Sequence, residues 1–132
     1  MRDSAFPASW APPLLSVMRA IVGFLFLQHG GQKLFNLPVA MPGPPPELFS
    51  LIGLAGVLEL GGGLLLLVGL FTRWTAFILS GQMAFAYFMV HAGKGFWPLA
   101  NQGELAVFYC FVFLYLAAAG GGSWSLDRLR IK

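Results

Sequence analysis

Cysteine and charge are what this 132-residue chain has least of: one Cys, and charged residues at only 10% of the total. The lone Cys110 excludes an internal disulfide framework, a CxxC redox pair and every multi-cysteine metal site. Soluble domains carry about a quarter of their residues as charges, so the shortage argues against an ordinary water-soluble fold. No haem-attachment motif, flavin fingerprint or iron–sulfur cysteine set is present, and no Gly-rich phosphate loop with its lysine. No intrinsic cofactor is therefore expected. The basic residues form no stripe. Eight Lys and Arg against five Asp and Glu give a net charge of +3, but they are scattered, which excludes a surface that tracks nucleic-acid phosphates.

What is there instead is apolar surface. The chain is 58% hydrophobic with a mean hydropathy of +0.75. A domain this small has too little interior to hide that much, so lipid must cover much of it. Punctuation divides the chain into four stretches of roughly 17 to 25 residues, each long enough at about 1.5 Å per residue to cross a hydrocarbon layer. The spans are expected at about 13–35, 47–71, 75–91 and 103–119, in a single domain covering 1–132. Pro12 and Pro13 sit where a helix start tolerates proline. The segment from Asn36 to Pro46 holds five prolines and cannot continue the helix. Thr72-Arg73-Trp74 reads as the tight turn between the second and third spans, and Gly120, Gly121 and Gly122 end the fourth. The fold class is all-α: an integral membrane, antiparallel four-helix transmembrane bundle.

The first span is expected to be retained rather than cleaved. Arg19 interrupts it, Gln28 and His29 close it, and no small-x-small cleavage site follows. Arg2, Arg73, Arg128, Arg130 and Lys132 fall on one side of the four-span layout, and only Lys33 and Lys94 on the other. The positive-inside bias then places both termini in the cytoplasm. Trp10, Trp74, Trp97 and Trp124 fall at span ends, where an indole prefers the headgroup zone.

Ionisable residues inside spans cost about 2.5 to 3.5 kcal/mol each on insertion scales, so each needs a partner, snorkelling or a water-lined cavity. On helix one Arg19, Gly23, His29, Gly30 and Lys33 share an arc of roughly 120°, with Gln32 beside it. Glu59 shares a face with Ala55, Gly56, Gly62 and Gly63, small residues that admit a neighbouring backbone. Gln82 lies with Thr75 and Ala86, and Glu104 lines up with Phe108, Phe111 and Tyr115. Each helix is thus expected to turn one polar-bearing face inward. Arg19, roughly 9 Å from the cytoplasmic end, is expected to reach Glu59 near the midplane, either as a structural pair fixing register or as part of a ligand or proton site. Lys33 and Lys94 are expected to snorkel to the interface. His29, His91 and Glu104 are chemically able to hold a metal, but two histidines on different helices without a spacing motif do not make a metal site, and none is assigned. Cys110 reads as a small buried hydrophobe. A faint echo links Gln28-His29-Gly30-Gly31-Gln32-Lys33-Leu34-Phe35 with His91-Ala92-Gly93-Lys94-Gly95-Phe96, in the manner of two hairpins related by an axis along the membrane normal.

Several features taken in order resemble the DoxX family. They are Arg19 and a spaced Gly; Phe26-Leu27-Gln28-His29-Gly30-Gly31-Gln32-Lys33-Leu34-Phe35; Glu59 with Gly62 and Gly63; the run through Gly69-Leu70-Phe71-Thr72-Arg73; Asn101 with Gly103-Glu104; and Gly120-Gly121-Gly122-Ser123-Trp124-Ser125-Leu126-Asp127. The resemblance covers nearly the whole chain. It implies a four-helix integral protein of the prokaryotic cytoplasmic membrane. Relatives include a subunit of a thiosulfate:quinone oxidoreductase, and other members are linked to assemblies handling thiol or oxidative stress. The expected role is that of a small accessory or anchor subunit of a membrane-associated redox complex, docked to a soluble or membrane partner protein, with homo-oligomers allowed. An alternative is a quinone-binding subunit passing electrons from a partner to the quinone pool. The last reading is a small-solute or proton pathway. The candidate ligand-binding or buried polar residues are Arg19, His29, Gln32, Lys33, Glu59, Gln82, His91 and Glu104.

Overall fold

The computed structural model describes residues 5–130. Among these residues all regular structure is helical. Helix α1 runs Ala11–Phe35 after a 3₁₀ turn at Ala8–Trp10; α2 is Leu51–Val68 and α3 is Thr72–Ala86. Helix α3 continues through a π-helical turn, Tyr87–His91, and a 3₁₀ turn, Ala92–Lys94. Then come the one-turn α4, Pro98–Asn101, the apolar α5, Glu104–Ala119, and the short α6, Leu126–Arg130. Three helical stretches, Ala8–Phe35, Leu51–Val68 and Thr72–Lys94, are long and apolar enough to cross a membrane; Glu104–Ala119 is a shorter apolar helix.

Local chemistry moves some boundaries from their expected places. Helix α2 begins at Leu51 rather than near Glu47 because the Ser50 hydroxyl caps it, accepting from Gly53 N at 3.1 Å. It ends at Val68 because Gly69 takes the left-handed conformation (φ 73°). There Leu70 N donates to Leu65 O and Gly69 N to Leu66 O, the paired closure of a Schellman motif. The turn is therefore Gly69–Phe71, and Thr72 to Trp74 already belong to α3.

Helices α1 and α2 pack along most of their length, as do α3 and α5, while α2 and α3 meet more sparsely. Glycine sets the first contact. A Cβ on Gly23 would stand 2.7 Å from Leu67 N, and one on Gly63 would stand 2.7 Å from Leu27 Cβ, so the backbones approach as small-residue stripes permit. The core lies between the two pairs: Phe26, Leu66, Ala76, Leu79, Met83, Tyr109, Phe113 and Leu116 are buried. Phe26 meets Phe113 edge-on at 4.8 Å between centroids, and Tyr109 stacks on Phe113 at 5.5 Å.

Candidate functional site

Arg19 does not meet Glu59. It is 3% exposed and donates from Nε to Leu66 O at 2.8 Å, from one terminal nitrogen to Gly121 O and from the other to Trp124 O at 3.0 Å. A guanidinium is a rigid fork of donors, and the last carbonyls of a helix lack partners within it. Arg19 therefore binds the C-terminal turn of α2, where Leu66 O also accepts from Gly69 N, to the segment after α5. Ser16 supports the same joint: its Oγ donates to Gly121 O at 2.9 Å and accepts from Trp124 N at 2.8 Å. Arg73 donates to Ala117 O and Ala118 O at the end of α5. Asp127 accepts from Phe71 N at 2.7 Å and Thr72 N at 2.8 Å, an N-cap for α3 delivered from 55 residues away. Two arginines on helix C-termini and one carboxylate on a helix N-terminus thus clasp one end of the molecule. Arg2 and Lys132, which entered the topology count, lie outside the described residues.

The partner of Glu59 is Lys33. Their Nζ and Oε1 atoms are 3.0 Å apart, and the side chains are 20% and 5% exposed. Lys33 therefore does not snorkel. The α1–α2 glycine contacts bring its stem against Gly56, one turn before Glu59, so the ammonium meets a carboxylate on the neighbouring helix. The second carboxylate oxygen, Oε2, is buried without a hydrogen-bond partner.

Beside this pair a cavity of about 690 Å³ lies between α2, α3 and α5. Lys33, Glu59 and His29 border it from α1 and α2, Gln82 and His91 from the third helical stretch, and Tyr109 from α5. The His29 ring stands edge-on to Tyr109 at 6.2 Å and tilted against Phe26 at 6.5 Å. Gln82 reaches Ala55 O at 3.5 Å through Nε2, and its Oε1 is buried and unpartnered. Gln102 borders it as well; the rest of the lining is apolar, and Leu51, Ile52, Leu54, Ile78, Phe85 and Met89 are also exposed on the outer surface. The cavity is thus a cleft where α2 and α3 diverge, open sideways along an apolar rim.

His91 is held by the segment that joins the third helical stretch to α5. Its Nδ1 lies 3.0 Å from Asn101 O. A carbonyl only accepts, so Nδ1 carries the proton of that bond. The fully buried Asn101 side chain donates to Tyr87 Oη and Gly95 O, both at 3.0 Å, and accepts from Gly103 N at 2.8 Å. The π-helical turn Tyr87–His91 interrupts the register of α3, a device often found beside functional sites.

Two other expected site residues stand apart. Glu104 is exposed, as are Phe108, Phe111 and Tyr115, so that face of α5 looks outward and does not line the cleft. The buried face is Tyr109, Phe113 and Leu116. In a helix apolar on every side, spacing defines faces without saying which is buried, and exposed Phe and Tyr cost nothing against acyl chains. Gln32 is half-buried and does not border the cleft. Lys94 is exposed. Cys110 is half-buried with Sγ 3.5 Å from Ser80 Oγ, while Ser80 Oγ donates to Cys110 O at 2.7 Å. Among the described residues no group of three or more His, Cys, Asp or Glu stands close enough to hold a metal ion.

Sequence reasoning missed Tyr109 and the clasp residues Gly121, Trp124 and Asp127. Part of the signal for the clasp was present: three consecutive glycines after the fourth apolar stretch leave carbonyls without helical partners.

Residues 14–92, which carry Arg19, Lys33, Glu59 and Gln82, match the family model of DoxX. The chain is 44% identical over 127 residues to an uncharacterised protein of Haemophilus influenzae, covering 93% of this chain and 95% of the relative. It is 31% identical to the uncharacterised membrane protein Rv3486 of Mycobacterium tuberculosis, covering 89% and 81%. It is 32% identical to the inner membrane protein YqjF of Escherichia coli, covering 88% and 91%. No solved structure matches it significantly. With its long apolar helices, and with the family's match running from the clasp arginine to the far rim of the cleft, the chain is a membrane protein of the DoxX family.

Proposed function

We propose that this protein is a small subunit of a membrane-associated redox assembly whose α2–α3 cleft receives a lipid-soluble carrier of the quinone type. The observation that carries the reading is the cleft itself: an apolar lateral mouth with Lys33, Glu59, His29, Gln82 and Tyr109 bordering it. Ligand pockets combine an apolar lining with a few convergent polar groups, and intramembrane charges mark function more often than not. The protein sits in the prokaryotic cytoplasmic membrane with both termini inside. Helix α5, about 24 Å long, is the fourth span, with the α4 turn extending it toward the outer surface.

The residues present fit such a group. Lys33 has N–H bonds beyond the one directed at Glu59 and donates to a ring oxygen. Tyr109 and His29 offer further polar atoms beside it. Glu59 Oε2, unpartnered in the protein, is the atom that takes or returns a proton. Exposed apolar side chains at the mouth, Ile52 and Ile78 among them, accommodate a hydrocarbon tail and keep water out. A quinone, when bound, supplies two-electron and two-proton acceptance; the chain supplies binding, orientation and a proton-holding carboxylate. Electrons come from a partner protein.

A second reading, an anchor that only docks a soluble partner, is favoured by one feature: Arg128 and Arg130 are exposed at the clasped end, where a partner on the cytoplasmic side would meet them. Equilibrium binding of a short-chain ubiquinone analogue to the protein in lipid nanodiscs separates the two. Saturable binding weakened about tenfold or more in Lys33→Met supports the cleft reading. Absence of saturable binding overturns it and leaves the anchor.

A further inference from the structure

Resting on that reading, we infer that the cleft favours the hydroxyl form of its ligand: an apolar ring bearing hydrogen-bond-donating hydroxyls, a hydroquinone, over the oxidised ring bearing only carbonyl acceptors. Three buried side-chain polar atoms among the described residues lack a hydrogen-bond partner, and two of them, Glu59 Oε2 and Gln82 Oε1, belong to residues bordering the cleft. Both are oxygens that accept when the carboxyl is ionised. The bond from His91 Nδ1 to Asn101 O adds a third: in the neutral ring the proton on Nδ1 leaves Nε2 as an acceptor. No buried side-chain nitrogen among the described residues is wholly without a partner.

The imbalance has a direction. An unpaired buried acceptor carries a desolvation penalty that a donating ligand removes and an accepting ligand does not. Both oxygens belong to side chains that border the cleft, and rotation about the terminal carboxylate or amide torsion, which is broad and soft, turns an oxygen toward an occupant. The opposing features are donors at the cleft: Lys33, already engaged by Glu59 at 3.0 Å, and the His29 ring, the Tyr109 hydroxyl and the Gln102 amide. None of these is a buried atom left without a partner, so the desolvation penalty falls on the acceptors.

The test is a pair of dissociation constants measured anaerobically in nanodiscs for one short-chain ubiquinone analogue and for the same compound reduced to its hydroquinone. The reduced form should bind about fivefold or more tightly than the oxidised form, and Gln82→Met, which keeps length and removes the amide oxygen, should shrink that ratio toward one. Equal affinities, tighter binding of the oxidised form, or a preference untouched by Gln82→Met would overturn the inference while leaving a quinone-type cleft standing. Failure of both forms to bind would overturn the cleft reading itself, and this inference with it.

Discussion

Lys33 Nζ and Glu59 Oε1 stand 3.0 Å apart across the α1–α2 seam, at the wall of the cleft of about 690 Å³. The seam fixes their register: Gly30 and Gly56 bring the backbones close enough that side chains one turn further along meet. Because the pair is sheltered, removing one partner strands a charge. Lys33→Met is expected to destabilise the protein by about 3 kcal/mol, with Lys33→Met/Glu59→Gln recovering most of the loss. Unfolding in mixed micelles checks this, and a double variant as unstable as the single would contradict it.

Arg19 is expected to tolerate no conservative replacement. A lysine ammonium cannot reach Leu66 O, Gly121 O and Trp124 O together, as the guanidinium fork does. Arg19→Lys should cost about 2 kcal/mol and expose residues 120–130 to limited proteolysis. An unchanged cleavage pattern would mean that the clasp does not depend on Arg19.

The clasp also predicts a dependence on pH. Partial burial alone would raise the Asp127 carboxyl, but hydrogen bonds from Thr72 and Phe71, with Arg130 nearby, outweigh it and hold the group below its ordinary value. A folded value below the unfolded one means the stabilisation is fully present above about pH 4 and is lost as the pH falls through the folded value. Below about pH 4 the wild type should therefore lose stability with falling pH faster than Asp127→Asn. Parallel melting curves for the two proteins would contradict this.

Gly63→Ala is expected to separate α1 from α2. Its new methyl would stand 2.7 Å from Leu27 Cβ and 2.9 Å from Gly23 O, and overpacking of this kind costs about 1 to 3 kcal/mol. Gly61→Ala, with nothing within 4 Å, is the matched control and should leave the melting temperature unchanged. Equal effects of the two would remove the glycine seam from the account.

The helices were legible because apolar length and proline and glycine punctuation are properties of the chain alone. Burial of Arg19 and Glu59 was legible too, since each shares a face with small residues. Their partners were not. Whether Glu59 meets Arg19 or Lys33 depends on the relative register of two helices, which Gly23, Gly30, Gly56 and Gly63 set only in three dimensions. The inward face of α5 was equally hidden, because Phe108 and Phe113 are alike in hydropathy and differ only in what packs against them. The role of Asp127 was hidden because capping across 55 residues, as it does for Thr72, leaves no local pattern.

The most direct test of the cleft is photolabelling in native-lipid nanodiscs with a quinone analogue carrying a photoreactive tail, followed by peptide mapping. Labels are predicted on α2 and α3 at the cleft mouth, around Ile52, Ile78 and Met89, and they should disappear when unlabelled quinone is added in excess. Labels spread over the outer faces, at Phe24 and Phe111 as strongly as at the mouth and indifferent to competitor, would contradict the account.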